Sequence, residues 1–167
     1  DGEGWHMLIT ARSRDGRSSR DRGVVGHATS PDLEQWTVQP PLTAPGAGFA
    51  HLEVPQTVTL GGRPWLLFSC DAAHLAGDRE GATGGVWIAP AASTTGGYDL
   101  EAAELLVDER FYAGRVVHGR DGLPRLLAFE NTGGGSGFGG RLADPLDLDL
   151  EGARPRLADA ELQKENS

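Results

Sequence analysis

The chain has 167 residues, 38% hydrophobic and 23% charged, which suits one domain with a buried core and excludes wholesale disorder. Its 25 Gly and 10 Pro follow no collagen-like period, and so many turn formers argue against a helical bundle and for short strands. A net charge of −9, with Lys164 the one lysine, leaves no broad basic field for nucleic acid.

The chain opens with Asp1-Gly2-Glu3-Gly4, which lacks the charged start and apolar core of a signal peptide. An apolar strand follows from Trp5 to Ala11. Arg12, Arg14, Arg17, Arg20 and Arg22, diluted by Asp15 and Asp21, read as a solvated loop. A second strand runs from Val24 to Ser30. The next begins at Val54, ends at Leu60 and meets a Gly61-Gly62 turn, after which Arg63-Pro64-Trp65-Leu66-Leu67-Phe68-Ser69-Cys70-Asp71 forms its partner. Another strand covers Gly85 to Ala91. Phe111 to His118 then leads through Asp121-Gly122 into Leu123 to Asn131, and a last strand covers Phe138 to Asp144. Beyond Arg154-Pro155-Arg156, Leu157 to Glu165 reads as a short helix in a frayed tail.

Three of these turn-and-strand segments are copies of one another. Trp5, Trp65 and Arg125 stand at the same place in each, at equal spacings of 60 residues. A four-stranded antiparallel unit repeated at that interval describes a propeller blade better than the alternative, a β-sandwich of regular hairpins. The reading is all-β: about three blades, with units 1–48, 49–108 and 109–150, and a tail over 151–167. The inner strand of the first unit is expected before residue 1. Three blades do not close a ring, so the chain is expected to be the C-terminal part of a larger propeller, completed by a preceding segment or a partner chain.

Several motifs then carry a resemblance. Ser30-Pro31-Asp32-Leu33-Glu34-Gln35-Trp36 has the Ser-x-Asp-Leu-x-x-Trp form of five-bladed furanosidase propellers. Glu53-Val54-Pro55-Gln56 is similar to the Glu-Cys-Pro motif of glycoside hydrolase family 32, the invertases and levanases, with Val54 in the place of Cys. Phe111-Tyr112-Ala113 resembles the family's Tyr-Ala signature, and Gly139-Gly140-Arg141-Leu142-Ala143-Asp144-Pro145-Leu146 its last-blade strand. The resemblance implies a five-bladed propeller and a retaining β-fructofuranosidase-like enzyme acting on a carbohydrate. It implies that Glu53 is the general acid/base. The family's nucleophilic Asp and its Arg-Asp-Pro motif do not occur here, so the nucleophile is expected outside this chain.

The chemistry asks for such residues. Glycoside cleavage needs two carboxyl groups across the scissile bond, one of them a proton donor. Spacing alone favours Glu53 as an exposed carboxylate at a strand start; the resemblance moves it to the acid/base role. His51, two residues away, shares its face on a strand and could touch sugar hydroxyls or tune Glu53, or could be an ordinary loop histidine. Tyr112 begins the next inner strand and could reach the same pocket. Asp71 and Glu130 end equivalent strands and could bind sugar hydroxyls or simply solvate strand ends. Trp5, Trp65 and Trp36 read as core by their repeat positions, and Trp87 is undetermined.

Gly135-Ser136-Gly137-Phe138-Gly139-Gly140 satisfies a dinucleotide fingerprint but precedes no helix, and Asp147 to Gly152 starts like a calcium loop without its closing Glu. Five scattered histidines and Cys70 show no zinc spacing, so no metal or cofactor is expected. No apolar run reaches the ~20 residues that cross a bilayer, so no membrane partner is expected. The lone cysteine fits a reducing compartment, and a cytoplasmic location is expected. The competing reading is a non-catalytic carbohydrate-binding or interaction module on the same scaffold.

Overall fold

The computed structural model describes residues 4–15, 18–131 and 140–158. Among them all regular elements are strands apart from two single turns of 3-10 helix. No helix is long and apolar enough to cross a membrane.

Three antiparallel sheets follow one another along the chain. The first joins β1 (Trp5–Arg12), β2 (Gly23–Ser30) and β3 (Thr37–Gln39). The second begins with β4 (Glu53–Leu60), β5 (Arg63–Cys70) and β6 (Gly85–Ser93), whose outer edge pairs with both β7 (Gly96–Tyr98) and β8 (Glu104–Asp108). The third joins β9 (Phe111–His118) to β10 (Pro124–Glu130). The far edge of β10 pairs with β11 (Arg141–Leu142) and β12 (Leu146–Asp149), and β12 pairs with β13 (Arg156–Leu157). With β7/β8 and β11/β12 each serving as one interrupted edge, the second and third sheets have the inner-to-outer order of propeller blades.

The apolar run in β5 is explained by burial on both faces. Trp65 and Leu67 join Val86 and Ile88 of β6 in one core, with Val116 and Leu126 of the third sheet. Leu66, Phe68 and Cys70 point the other way, with Trp87 and Ala89, into a core that includes Val25 of the first sheet. The side-chain period of two thus sends alternate residues of one strand into two cores. Each such Leu or Phe removed from water stabilises the fold by ~1.5–3 kcal/mol before entropy is counted. The second sheet is therefore the middle layer of the stack.

Several expectations need correction. Trp65 is core, but Trp5, at the same repeat position, is 53% exposed. Trp65 sits opposite Val58 of β4, whereas β1 pairs only with β2 among the described residues, so no inner strand shields Trp5. Trp36 is half-buried and donates its indole N–H to Leu33 O, while Trp87 is deeply buried. Leu157 lies in β13 rather than at a helix start, because its pairing with Leu148 extends the third sheet beyond residue 150. The rest of that tail, and residues 135–139 of the glycine-rich loop, lie outside the described residues.

Candidate active site

Both inner strands carry the same irregularity at the same place. Counting back from the Leu60–Arg63 pair, Glu53 would face Cys70; instead it faces Ser69, because β4 holds one extra residue between Glu53 and Gln56. β9 holds one extra residue between Tyr112 and Arg115. These are β-bulges, and the residue after each candidate site residue takes a left-handed backbone: Val54 at φ 44° and Ala113 at φ 54°. For a β-branched valine that conformation is costly, on the order of 1–3 kcal/mol, and surrounding structure must hold it. Pro55 is tolerated because it falls within the bulge. Ser69 Oγ, fully buried, accepts the Ala113 N–H at 3.1 Å and pins the second bulge to β5.

The two bulges aim their side chains at each other. The Tyr112 hydroxyl donates to Glu53 Oε2 at 2.7 Å, linking the inner strands of two successive sheets. Burial first, and the Glu53 carboxylate next, push the Tyr112 phenol well above its ordinary range, so it stays a proton-bearing donor. Glu53 itself keeps 41% of its side-chain surface exposed, which leaves one side open to a ligand.

His51 lies just before β4. Its Nε2 is 3.9 Å from Glu53 Oε2, beyond hydrogen-bond reach, and has no hydrogen-bond partner among the described residues although it is buried. Burial lowers the affinity of this ring for a proton, opposed next by the Glu53 charge. The Thr10 hydroxyl donates to Leu52 O at 3.0 Å and ties this segment to the first sheet.

Asp71 follows β5 and accepts the His74 N–H at 3.1 Å, capping the single turn Ala72–His74. The same carboxylate holds His74 Nδ1, at 2.8 Å from both oxygens. The His74 ring lies against that of His51, centroids 4.5 Å apart. Beneath them Cys70 is sealed in the core, where burial pushes its thiol up to about 12.

The structure thus brings together Glu53, Tyr112, His51 and Asp71. Glu130 is not brought to them: it pairs across the sheet with Phe111, and its carboxylate is held by Arg141 Nε at 2.6 Å. Sequence reading missed His74 and Gln56. The Asp-x-x-His spacing of a capped turn could have signalled the first. Gln56 had no local signal, since its side chain bonds a strand 60 positions away.

No protein-family model matches the sequence, and no curated protein matches it. Solved structures do match the fold. A Bombyx mori GH32 β-fructofuranosidase superposes with a TM-score of 0.67 at 22% identity, over 93% of this chain and 34% of that one. A sucrose-6-phosphate hydrolase from Lactobacillus gasseri gives 0.67 at 14% identity, over 94% of this chain and 34% of that one. An inulosucrase from Halalkalicoccus jeotgali bound to kestose gives 0.66 at 23%, over 91% of this chain and 46% of that one. The chain spans about a third to under half of the length of these proteins, and over that span it has the all-β, family-32-like fold of the β-fructofuranosidases.

Proposed function

We propose that this chain carries the acid/base half of a glycosidase site for β-fructofuranosides or related furanosides. Glu53 protonates the leaving glycosidic oxygen, and a carboxylate outside this chain attacks the anomeric carbon. The single observation that supports it most is the Tyr112–Glu53 hydrogen bond between two facing bulges. A bulge is a means of re-aiming a side chain, and here two strained ones converge on one carboxyl. Tyr112 orients that carboxyl through Oε2 and leaves the other oxygen to meet substrate. His51 and Asp71 stand on the same side and suit sugar hydroxyls. The likeness in fold to a β-fructofuranosidase variant in complex with sucrose and to an inulosucrase bound to kestose supports the substrate class.

The test is Glu53→Gln in the complete enzyme, assayed on sucrose and on inulin-type oligosaccharides. Gln keeps the shape and the hydrogen bond but holds no transferable proton. Turnover should fall about 10²–10⁴-fold, the usual contribution of a general acid, with an unchanged unfolding midpoint. Unaltered turnover rejects the assignment. The competing reading is a non-catalytic carbohydrate-binding module on the same scaffold. Saturable binding of kestose with no cleavage by the complete protein would select it.

A further inference from the structure

The histidines that are scattered in sequence are not scattered in space. His51 precedes β4, Asp71 follows β5, and pairing of those two strands sets both at one end of the sheet. The capped turn then folds His74 back over them. One ligand-capable atom from each of His51, Asp71 and His74 falls within 4.8 Å of the others. We propose that these three side chains form a binding site for a divalent cation of the zinc type.

Three features support it. Buried polar atoms are nearly always partnered, yet the buried His51 Nε2 has no hydrogen-bond partner among the described residues. A cation supplies that partner. Second, two imidazoles and one carboxylate are the donors that zinc takes in open sites, whereas calcium and magnesium take oxygen. Third, the site has a wall and a door. The His51 side chain is 14% exposed, while those of Asp71 and His74 are 32% and 48% exposed. The exposed side admits the ion and leaves room for water as a fourth ligand.

Ligand atoms around one tetrahedral zinc lie roughly 3.3–3.5 Å apart, given bonds of about 2.0–2.2 Å. His74 Nδ1 and Asp71 are closer than this, at 2.8 Å, because a proton joins them. The cation takes the Nδ1 lone pair as the single proton of the neutral ring shifts to Nε2 by exchange with solvent, and the pair opens slightly. Cys70 takes no part: its Sγ is directed at the Asp71 and His74 carbonyls, 3.8 and 3.6 Å away. The site shares His51 and Asp71 with the sugar-facing side of the proposed pocket, but Glu53 is not one of its ligands.

The test is calorimetric titration of the chain with zinc chloride, paired with cobalt substitution read by absorption. Saturation at one equivalent, with the intense visible bands of tetrahedral cobalt, is expected. His51→Gln and His74→Gln should each weaken binding at least tenfold, the loss seen when even an outer-shell partner of a metal site is removed. Asp71→Asn keeps the turn's cap while weakening the cation, which separates loss of ligand from loss of fold. The exposed pair His6 and His27, with ring nitrogens 2.9 Å apart, is the competing locus, and His6→Gln with His27→Gln should leave binding unchanged. Glu53→Gln removes a carboxylate 3.9 Å from His51 Nε2 but no ligand, so it should weaken binding less than His51→Gln or His74→Gln while lowering hydrolysis, and failure of the hydrolase reading and failure of this one are told apart. Absence of saturable binding, or its loss in the His6/His27 variant alone, overturns the proposal.

Discussion

Gln56 holds both main-chain groups of Val116. Its Nε2 donates to Val116 O at 2.9 Å and its Oε1 accepts the Val116 N–H at 2.8 Å. A side chain thus substitutes for a strand in joining the inner edges of the second and third sheets. The same seam is reinforced by Arg115 Nη1, which donates to Pro55 O at 3.1 Å.

Gln56→Ala should therefore act far beyond its size. Val116 is 4% exposed, so neither of its freed groups regains water easily. Each buried unsatisfied group costs ~1–3 kcal/mol, so a loss of about 2–4 kcal/mol in urea unfolding is expected. Gln56→Glu should recover part of it, since a carboxylate accepts the N–H but cannot donate to the carbonyl. A loss below about 0.5 kcal/mol would show that the seam does not depend on Gln56.

Tyr112→Phe should separate stability from activity. The Glu53 side chain is 41% exposed, so water takes the place of the lost hydroxyl, and the fold should lose no more than about 1.5 kcal/mol. Orientation of the carboxyl is what the hydroxyl supplies, and misplacement of a catalytic group costs rate. Turnover of the complete enzyme should fall about tenfold or more while its denaturation midpoint barely moves, measured as kcat beside a urea curve. Wild-type turnover in the variant would remove Tyr112 from the site.

The blades were legible because their signals are local. Gly61-Gly62 and Asp121-Gly122 mark the turns, and the runs after them alternate or stay apolar according to how many faces are buried. The bulges were not legible. An extra residue between Glu53 and Gln56 changes which face every residue beyond it occupies, and only the fit between sheets selects it. The difference between Trp5 and Trp65 escaped for a similar reason: a repeat predicts equivalent positions, while burial depends on which neighbour each copy has. Glu53, His51, Asp71 and Tyr112 were each visible as residues, but their meeting depends on strand register and on the turn that carries His74.

Acid should expose one ion pair selectively. Arg125 on β10 reaches Asp121 with both terminal nitrogens, at 2.9 and 2.7 Å, and Asp147 on β12 with Nε at 2.8 Å. The Arg125 hydrogen bond holds the Asp121 carboxyl down at about 2, against an ordinary 3.8. A folded value below the unfolded one gives stability that is present above pH ~4 and is lost as pH falls through about 2. Wild type should thus melt above Asp121→Asn near neutrality, and the two melting temperatures should converge between those limits. The pair is solvent-exposed, so the gap should also shrink in high salt. A gap that stays constant down to the acid limit would show that the charge is irrelevant.

Gly84, just before β6, and Gly96, in β7, make the last comparison. A Cβ on the buried Gly84 would stand 2.2 Å from Ala72 N and 2.5 Å from Asp71 Cα, against backbone that no rotamer can move aside. That backbone carries the Asp71 cap and the turn bearing His74, so Gly84→Ala must push the turn outward or shift β6. On the order of 3 kcal/mol should be lost, at the upper end of overpacking costs, with a matching drop in thermal midpoint. Gly96 has open space around its Cβ position and no left-handed φ. Gly96→Ala should be neutral or stabilise by up to ~1 kcal/mol through the unfolded chain. Equal midpoints for the two variants would mean that the contact between Gly84 and residues 71–72 is not a close one, and that the turn is positioned from elsewhere.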